Sequence, residues 1–349
     1  MEKKLFIISE LICAPFDEGL KNIVYNFIVN CQFHDNVNIV TKKGSETNGL
    51  NVKKVSLNKL FLNKELNKLL CSYSPDIILY IPEASCTFNS FVRARILQLM
   101  CNKSKVVILG SQRRKYSFIK KFLLGFLRPD LLLLLCKADK GFFETKGMRV
   151  KILPPAIDKE RFCCVDFDTK FSFRRKYNIP LNKTIVLHVG HIRKSRNLGC
   201  FLNIQNIDCI QVVIVGSTTT KKDYDLFRLL KSQGIIIIDY YISGIQEIYQ
   251  LSDIYVFPVK EETAAIDMPL SVLEAMACNL PVITTRFGGL IDNFSEDKNF
   301  RYVDTNENIT ELVKINDFKK VTNRSKVKHL TWNFFADKIV QSCEGLLQE

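Results

Sequence analysis

Short apolar runs alternate with amphipathic segments along almost the whole of this 349-residue chain. In the first half the runs read as strands at Lys4 to Ser9, Val37 to Thr41, Asp76 to Pro82, Lys105 to Leu109, Leu131 to Cys136 and Val150 to Leu153. In the second half they fall at Thr184 to Val189, Gln211 to Gly216, Ile235 to Ile238, Asp253 to Pro258 and Pro281 to Thr285. Such alternation argues for mostly parallel sheets with crossover helices on both faces. A chain of this length usually divides into two domains, each burying its own core. The expected class is therefore α/β, with two doubly wound, Rossmann-like domains, and ligands are expected beyond the carboxyl ends of the strands.

Two stretches in the second half point to chemistry. Asp267 to Leu290 reads DMPLSVLEAMACNLPVITTRFGGL. Asp267 can cap a helix and Pro269 fits its first turn, so a helix is predicted from about Met268 to Cys278, ended by a left-handed Asn279 and by Pro281. It plants Glu274 in an apolar helix with Leu270, Ser271, Ala277 and Cys278 as face neighbours. Helical side chains lean toward the N-terminus, so the Glu274 oxygens should aim at the entry loop, where a ligand would meet them. An ordinary amphipathic helix with a tolerated Glu is the plain alternative. The second stretch, GHIRKSRNL from Gly190 to Leu198, follows the strand ending at Val189. Gly190 lets backbone approach a ligand, and His191, Arg193, Lys194 and Arg196 bring donors that suit a diphosphate. Charges alone would read as a solvated basic loop; its place in the same run of strands and helices as Glu274 favours an anion site.

Together these residues resemble the group 1 (family 4) retaining glycosyltransferases, whose GT-B fold sets two Rossmann-like domains facing a central cleft. In that family two glutamates separated by seven residues precede a helix reading LEAMA, a proline-led strand and a Gly-Gly turn. Here the second glutamate is Glu274, while the first falls on Ile266, with Asp267 one place later. YQLSDIYVFP (Tyr249 to Pro258), LPPAIDKERF (Leu153 to Phe162) and APFDEGLKNIVYNFI (Ala14 to Ile28) resemble further family segments, the last keeping only Gly19. The resemblance implies an N-terminal acceptor-side domain over 1–165, a nucleotide-sugar domain over 166–331, and a C-terminal helix over 332–349 that crosses back.

It also implies hexosyl transfer with retention, from a nucleotide diphosphate-sugar (UDP- or GDP-sugar) to a glycan or lipid-linked acceptor, as in polysaccharide biosynthesis. No cofactor and no metal would be obligatory. The donor would be bound by Gly190, His191, Arg196, Asp267, Met268, Pro269, Leu270, Ser271 and Glu274. Arg196, Lys194 and Asp267 would serve the reaction, and Gly19, Glu83, Gln112 and Arg113 would face the acceptor. Glu274 would hold the ribose hydroxyls. Arg196 outranks His191 as the phosphate ligand, because guanidinium is always charged and binds oxygens in pairs. The family's histidine after an N-domain strand has no counterpart in ILGSQRRK, Ile108 to Lys115. Ile266 keeps open a catalytically inactive nucleotide-sugar-binding protein; a nucleotide-sugar epimerase of the same fold is a further alternative.

Charge is uneven. Residues 1–160 carry 26 Lys and Arg against 14 Asp and Glu, +12 of the total +14. Within them RRKYSFIKKFLLGFLR, Arg113 to Arg128, joins basic and apolar residues that could lie on an anionic membrane surface; packing on the core, with solvated lysines, is the alternative. No recognised motif supports nucleic acid. Twelve scattered cysteines without a CxxC pair, and an apolar run in MEKKLFIISEL too short for a signal or a span, point to a cytoplasmic protein, peripheral on the inner membrane face if the basic segment docks there.

Overall fold

The computed structural model describes residues 3–31, 36–43, 47, 49–218, 220–318 and 320–348. They fall into two compact units, the first made from Met1–Pro155, Ile266–Met268 and Trp332–Glu349, the second from Ala156–Ala265 and Pro269–Thr331.

The first unit holds strands β1 (Leu5–Ser9), β2 (Val37–Lys42), β3 (Lys53–Val55), β4 (Ile77–Ile81), β5 (Lys105–Gly110), β6 (Leu131–Leu134) and β7 (Val150–Ile152). They pair in parallel in the order β3-β2-β1-β4-β5-β6-β7. Five helices stand between them: α1 (Gly19–Cys31), α2 (Lys64–Tyr73), α3 (Phe88–Met100), α4 (Phe118–Leu123) and α5 (Lys140–Glu144). Every residue of β1, β4 and β6 is buried, as strands covered on both faces require. Asn63 and Thr87 cap α2 and α3 by accepting amides of the first turn, which starts each helix where the chain leaves the sheet.

The second unit repeats the plan with β8 (Thr184–Val189), β9 (Ile210–Val215), β10 (Ile236–Ile238), β11 (Ile254–Phe257), β12 (Val282–Thr284) and β13 (Phe300–Tyr302). Their order is β10-β9-β8-β11-β12-β13, again parallel. The helices are α6 (Phe167–Lys176), α7 (Cys200–Gln205), α8 (Tyr224–Ser232), α9 (Ile245–Gln250), α10 (Leu270–Ala277), α11 (Leu290–Asn293), α12 (Asn306–Ile315) and α13 (Asn323–Val327). The strand order reverses between β1 and β4 in one unit and between β8 and β11 in the other, which makes those carboxyl ends the natural ligand edges. A last helix, α14 (Trp332–Gly345), packs its Trp332, Phe335, Ala336, Ile339 and Cys343 stripe into the first unit, where it meets α1.

Several expectations shift. The strands β3 and β13 were not foreseen: each has three residues at a sheet edge, and KKV carries no apolar run. The units part at Pro155, ahead of residue 165, because the following segment packs on the second unit. There the Ile157 amide donates to Leu330, Arg324 donates to the carbonyls of Lys159 and Phe162, and the Phe162 ring meets Tyr249 at 5.6 Å. The core-packing reading of Arg113 to Arg128 holds in part: α4 buries no residue, while Leu124 beyond it enters the core beside Phe91 and Phe143, with Tyr116 and Leu127 packed against that cluster. All twelve cysteines are free. Among the described residues no helix is long and apolar enough to cross a membrane.

One buried ion pair ties α6 to the central strands of the second unit. Asp253 accepts from Arg174 Nη2 and Lys170 Nζ at 2.6 Å each and from the Ile185 amide at 2.7 Å, while the Arg174 side chain is only 4% exposed. Asp253→Ala would leave that guanidinium to the carbonyls of Leu251, Leu181 and Lys183 without its counter-charge, so urea titration should show a loss of about 2 kcal/mol. Lys170→Ala, at a more exposed partner, should cost roughly 1 kcal/mol or less. Equal losses would contradict the burial argument.

Candidate active site

Gly190 and Gly216 follow the adjacent strands β8 and β9, and a side chain at either would be tightly packed. A Cβ on Gly190 would stand 3.0 Å from Arg196 Nη1 and 3.1 Å from His188 Nε2, and one on Gly216 would stand 3.0 Å from Ile192. The backbone after Gly190 turns through a short 3-10 segment, Lys194–Arg196, and stops at a left-handed Asn197 with φ 57°. The Asn197 amide donates to the Pro258 carbonyl at 3.1 Å and to Asn306 Oδ1 at 2.8 Å, pinning this loop to the end of β11 across the reversal of strand order.

Arg196 is folded inward beneath that loop and is 7% exposed. Burial lowers its pKa to about 10, the charged or polar groups that act on it being Tyr255 and Arg193, and among the described residues no carboxylate pairs with it. Its Nε has no hydrogen-bond partner. His188 beside it is fully buried. Its Nδ1 lies 2.9 Å from the Val256 carbonyl, which can only accept, so Nδ1 carries the proton and Nε2 presents a lone pair that nothing fills. Burial pushes this ring down to about 3, which keeps it neutral. The Tyr255 hydroxyl lies among Ser271, Glu274 and Arg196 without closing a hydrogen bond of good geometry. A guanidinium withdrawn from water with no carboxylate partner among the described residues costs several kcal/mol, a cost that an anionic ligand at this edge would offset. Lys194, 80% exposed and 4.0 Å from Asp223, and half-buried His191, near Thr220 Oγ1 at 3.3 Å, flank it.

Glu274 stands on α10 as the sequence indicates, but its carboxylate is turned. Its Oε2 accepts the Tyr249 hydroxyl at 2.5 Å, inside the second unit. Burial raises its pKa to about 7 against the pull of that hydroxyl and of Arg161. The oxygens therefore do not simply face the entry loop: Tyr249, unread in the sequence, holds one of them. Leu270 and Ser271 lie in the first turn of α10, whose N-cap is Pro269 and not Asp267.

Asp267 and Met268 belong instead to the first unit's packing. The Asp267 amide donates to the Ser111 carbonyl at 2.7 Å and its Oδ1 accepts the Arg113 amide at 3.2 Å, so the side chain tethers this segment to the loop after β5 and caps nothing. At 4% exposure its carboxyl rises to about 7, chiefly through burial. Arg113 Nε also lies 3.8 Å from Asp139. Ser85 Oγ fixes the same loop, accepting from the Ser111 and Gln112 amides and donating to the Gln112 carbonyl. Ile266 lies over Gly19, the first residue of α1, where a Cβ would approach its Cδ1 to 2.8 Å.

Glu83 leads to a residue that sequence reasoning missed. Its amide donates to Glu10 Oε2, and Glu10 Oε1 also receives Arg93 Nη1 at 2.7 Å and the Tyr80 hydroxyl at 3.1 Å, at the reversal between β1 and β4. The available signal was an acid immediately after an apolar strand. For His188 and Tyr255 it was a polar atom within one.

Residues 183–315 match the family model of group 1 glycosyl transferases. The sulfoquinovosyl transferase SQD2 of Arabidopsis thaliana is 27% identical over 68% of this chain and 48% of its own length. The chain spans less than half the length of the curated relatives it matches. Among solved structures, Anabaena HepE in complex with UDP superposes with a TM-score of 0.78 at 13% identity, covering 98% of this chain and 100% of that one. Sucrose-phosphate synthase from Thermosynechococcus elongatus gives 0.78 at 15% identity, covering 99% of each. The fold is GT-B, and the chain resembles the group 1 glycosyltransferases.

The raised Glu274 pKa makes a signed prediction. Below about pH 4.5 the carboxyl is protonated in both folded and unfolded chains; between there and pH 7 the folded chain keeps a proton the unfolded chain has lost, so stability falls as pH rises, and above 7 the loss is complete. Glu274→Gln removes that loss, whereas Asp267 titrates alike in both proteins and cancels. Denaturant titration should therefore show the variant gaining about 3 kcal/mol on wild type between pH 4.5 and pH 8. A difference independent of pH would contradict the buried carboxyl.

Proposed function

We propose that this chain is a retaining glycosyltransferase that binds a nucleotide diphosphate-sugar, a UDP- or GDP-sugar, on its second unit and transfers the sugar to a glycan or lipid-linked acceptor. The observation that carries this reading is the buried, carboxylate-free Arg196 beside Gly190, at the edge where a doubly wound sheet takes its ligand. The family match over 183–315 and the UDP complex of a structural neighbour support the same ligand class.

In the proposed step the bond from the anomeric carbon to the diphosphate breaks, and its electron pair leaves with the phosphate. Arg196 and exposed Lys194 stabilise that charge. The acceptor hydroxyl oxygen bonds to the same face of the anomeric carbon, and its proton passes to the departing phosphate oxygen. No protein base is then required. Glu274, aligned by Tyr249, binds the ribose hydroxyls and anchors the nucleotide. Asp267 we assign to tethering the loop after β5 through Arg113. The third partner we assign is an anionic membrane surface.

A binding protein with the same site would take up nucleotide without turnover. Incubation of each nucleotide sugar with an acceptor extract should release nucleoside diphosphate, and Glu274→Ala should slow release by about a hundredfold, as loss of a buried polar anchor does. Affinity without release from any donor would favour the binding protein.

A further inference from the structure

His188 stands in β8, where its neighbours Ile185, Val186 and Leu187 are apolar and fully buried. Its ring is faced by Phe201, Tyr255 and Phe257, with centroids 5.5, 6.5 and 6.3 Å away. A phenylalanine would fill such a place with no polar atom to satisfy, so an imidazole here has to answer for two nitrogens.

The first has a structural partner. The register between β8 and β11 runs through Val186 with Ile254 and Leu187 with Tyr255, and His188 Nδ1 extends it by donating to the Val256 carbonyl at 2.9 Å. The second, Nε2, is buried with no hydrogen-bond partner among the described residues, and with the proton on Nδ1 it can only accept. A donor lies close by. A Cβ on Gly190 would stand 3.0 Å from Arg196 Nη1 and 3.1 Å from His188 Nε2, so the two nitrogens border one small space under the Gly190 backbone.

An uncharged acceptor does something there that neither an acid nor a phenyl ring could. A carboxylate would neutralise the guanidinium, and a phenyl ring would offer its N–H groups nothing. An imidazole nitrogen can hold one N–H and leave the positive charge to a ligand.

We propose that His188 is a positioning residue for Arg196, its Nε2 accepting from the guanidinium and keeping that group turned to the carboxyl end of β8. This rests on the transferase reading given above, in which Arg196 binds the diphosphate. His188 acts through Arg196 and not on the ligand.

The test removes the two ring nitrogens separately. By side-chain length, asparagine puts its amide where Nδ1 stands, glutamine reaches the place of Nε2, and phenylalanine keeps a ring with neither. Wild type and the three variants are titrated calorimetrically with UDP, GDP and inorganic pyrophosphate. His188→Phe and His188→Asn should each weaken the ligand that wild type binds by about tenfold, the loss of a hydrogen bond to a charged group, and His188→Gln should recover most of that loss. Lowered stability alone would weaken binding whatever stands at residue 196. In an Arg196→Met background, by contrast, His188→Phe should change affinity by less than about twofold. The proposal is overturned if His188→Phe binds like wild type, if His188→Asn does so while His188→Gln does not, or if the losses are equal with and without Arg196. Pyrophosphate binding that depends on His188, in a protein that binds neither nucleotide, would overturn the transferase reading and leave the role of His188 standing. Wild type that binds none of the three would overturn both.

Discussion

A guanidinium held out of water, with no carboxylate partner among the described residues, is the constraint around which the second unit is arranged. Arg196 packs against Gly190, where the missing Cβ leaves space, and near the buried, neutral ring of His188, while Asn197 ties the loop to the end of β11. Each of these depends in turn on β8 and β11 being neighbours, which the reversal of strand order provides. On the proposed reading, a charge so placed lowers the stability of the protein and would raise its affinity for an anion, the exchange expected of a binding site.

The two carboxyls near the motif helix are both buried, both shifted to about 7, and held differently. Glu274 accepts a tyrosine hydroxyl within the second unit through one of its oxygens. Asp267 is taken up by a backbone amide of the first unit. Ile266, where the family has its first glutamate, lies on Gly19 and contributes an apolar contact. Within the second unit the groups beside Gly190 are Arg196 and Lys194, which agrees with the proposed ligand carrying the negative charge itself.

Sequence periodicity revealed the parallel sheets because central strands are apolar at every position, and glycine, proline and asparagine marked the ends of the loop that holds Arg196 and the helix that holds Glu274, while the choice of those two residues came from the family resemblance. It could not reveal β3 and β13, whose three-residue edges are defined by backbone pairing alone. Nor could it tell whether the apolar residues of α4 face inward or outward, since a helix shows the same pattern in either case; only the filled core around Leu124, Phe91 and Phe143 decides. Tyr249 with Glu274 and Asp267 with Arg113 are contacts between residues far apart in the chain, for which spacing carries no signal.

The most direct measurement is a calorimetric titration of wild type and Arg196→Met with nucleoside diphosphates, paired with the melting temperature of each protein without ligand. Wild type should bind one of them, and the variant should bind it about a hundredfold more weakly, the loss of roughly 3 kcal/mol that removal of one buried charge partner brings, while melting no lower than wild type. Equal affinity in the two proteins, or a variant that loses stability when the charge is removed, would contradict the account.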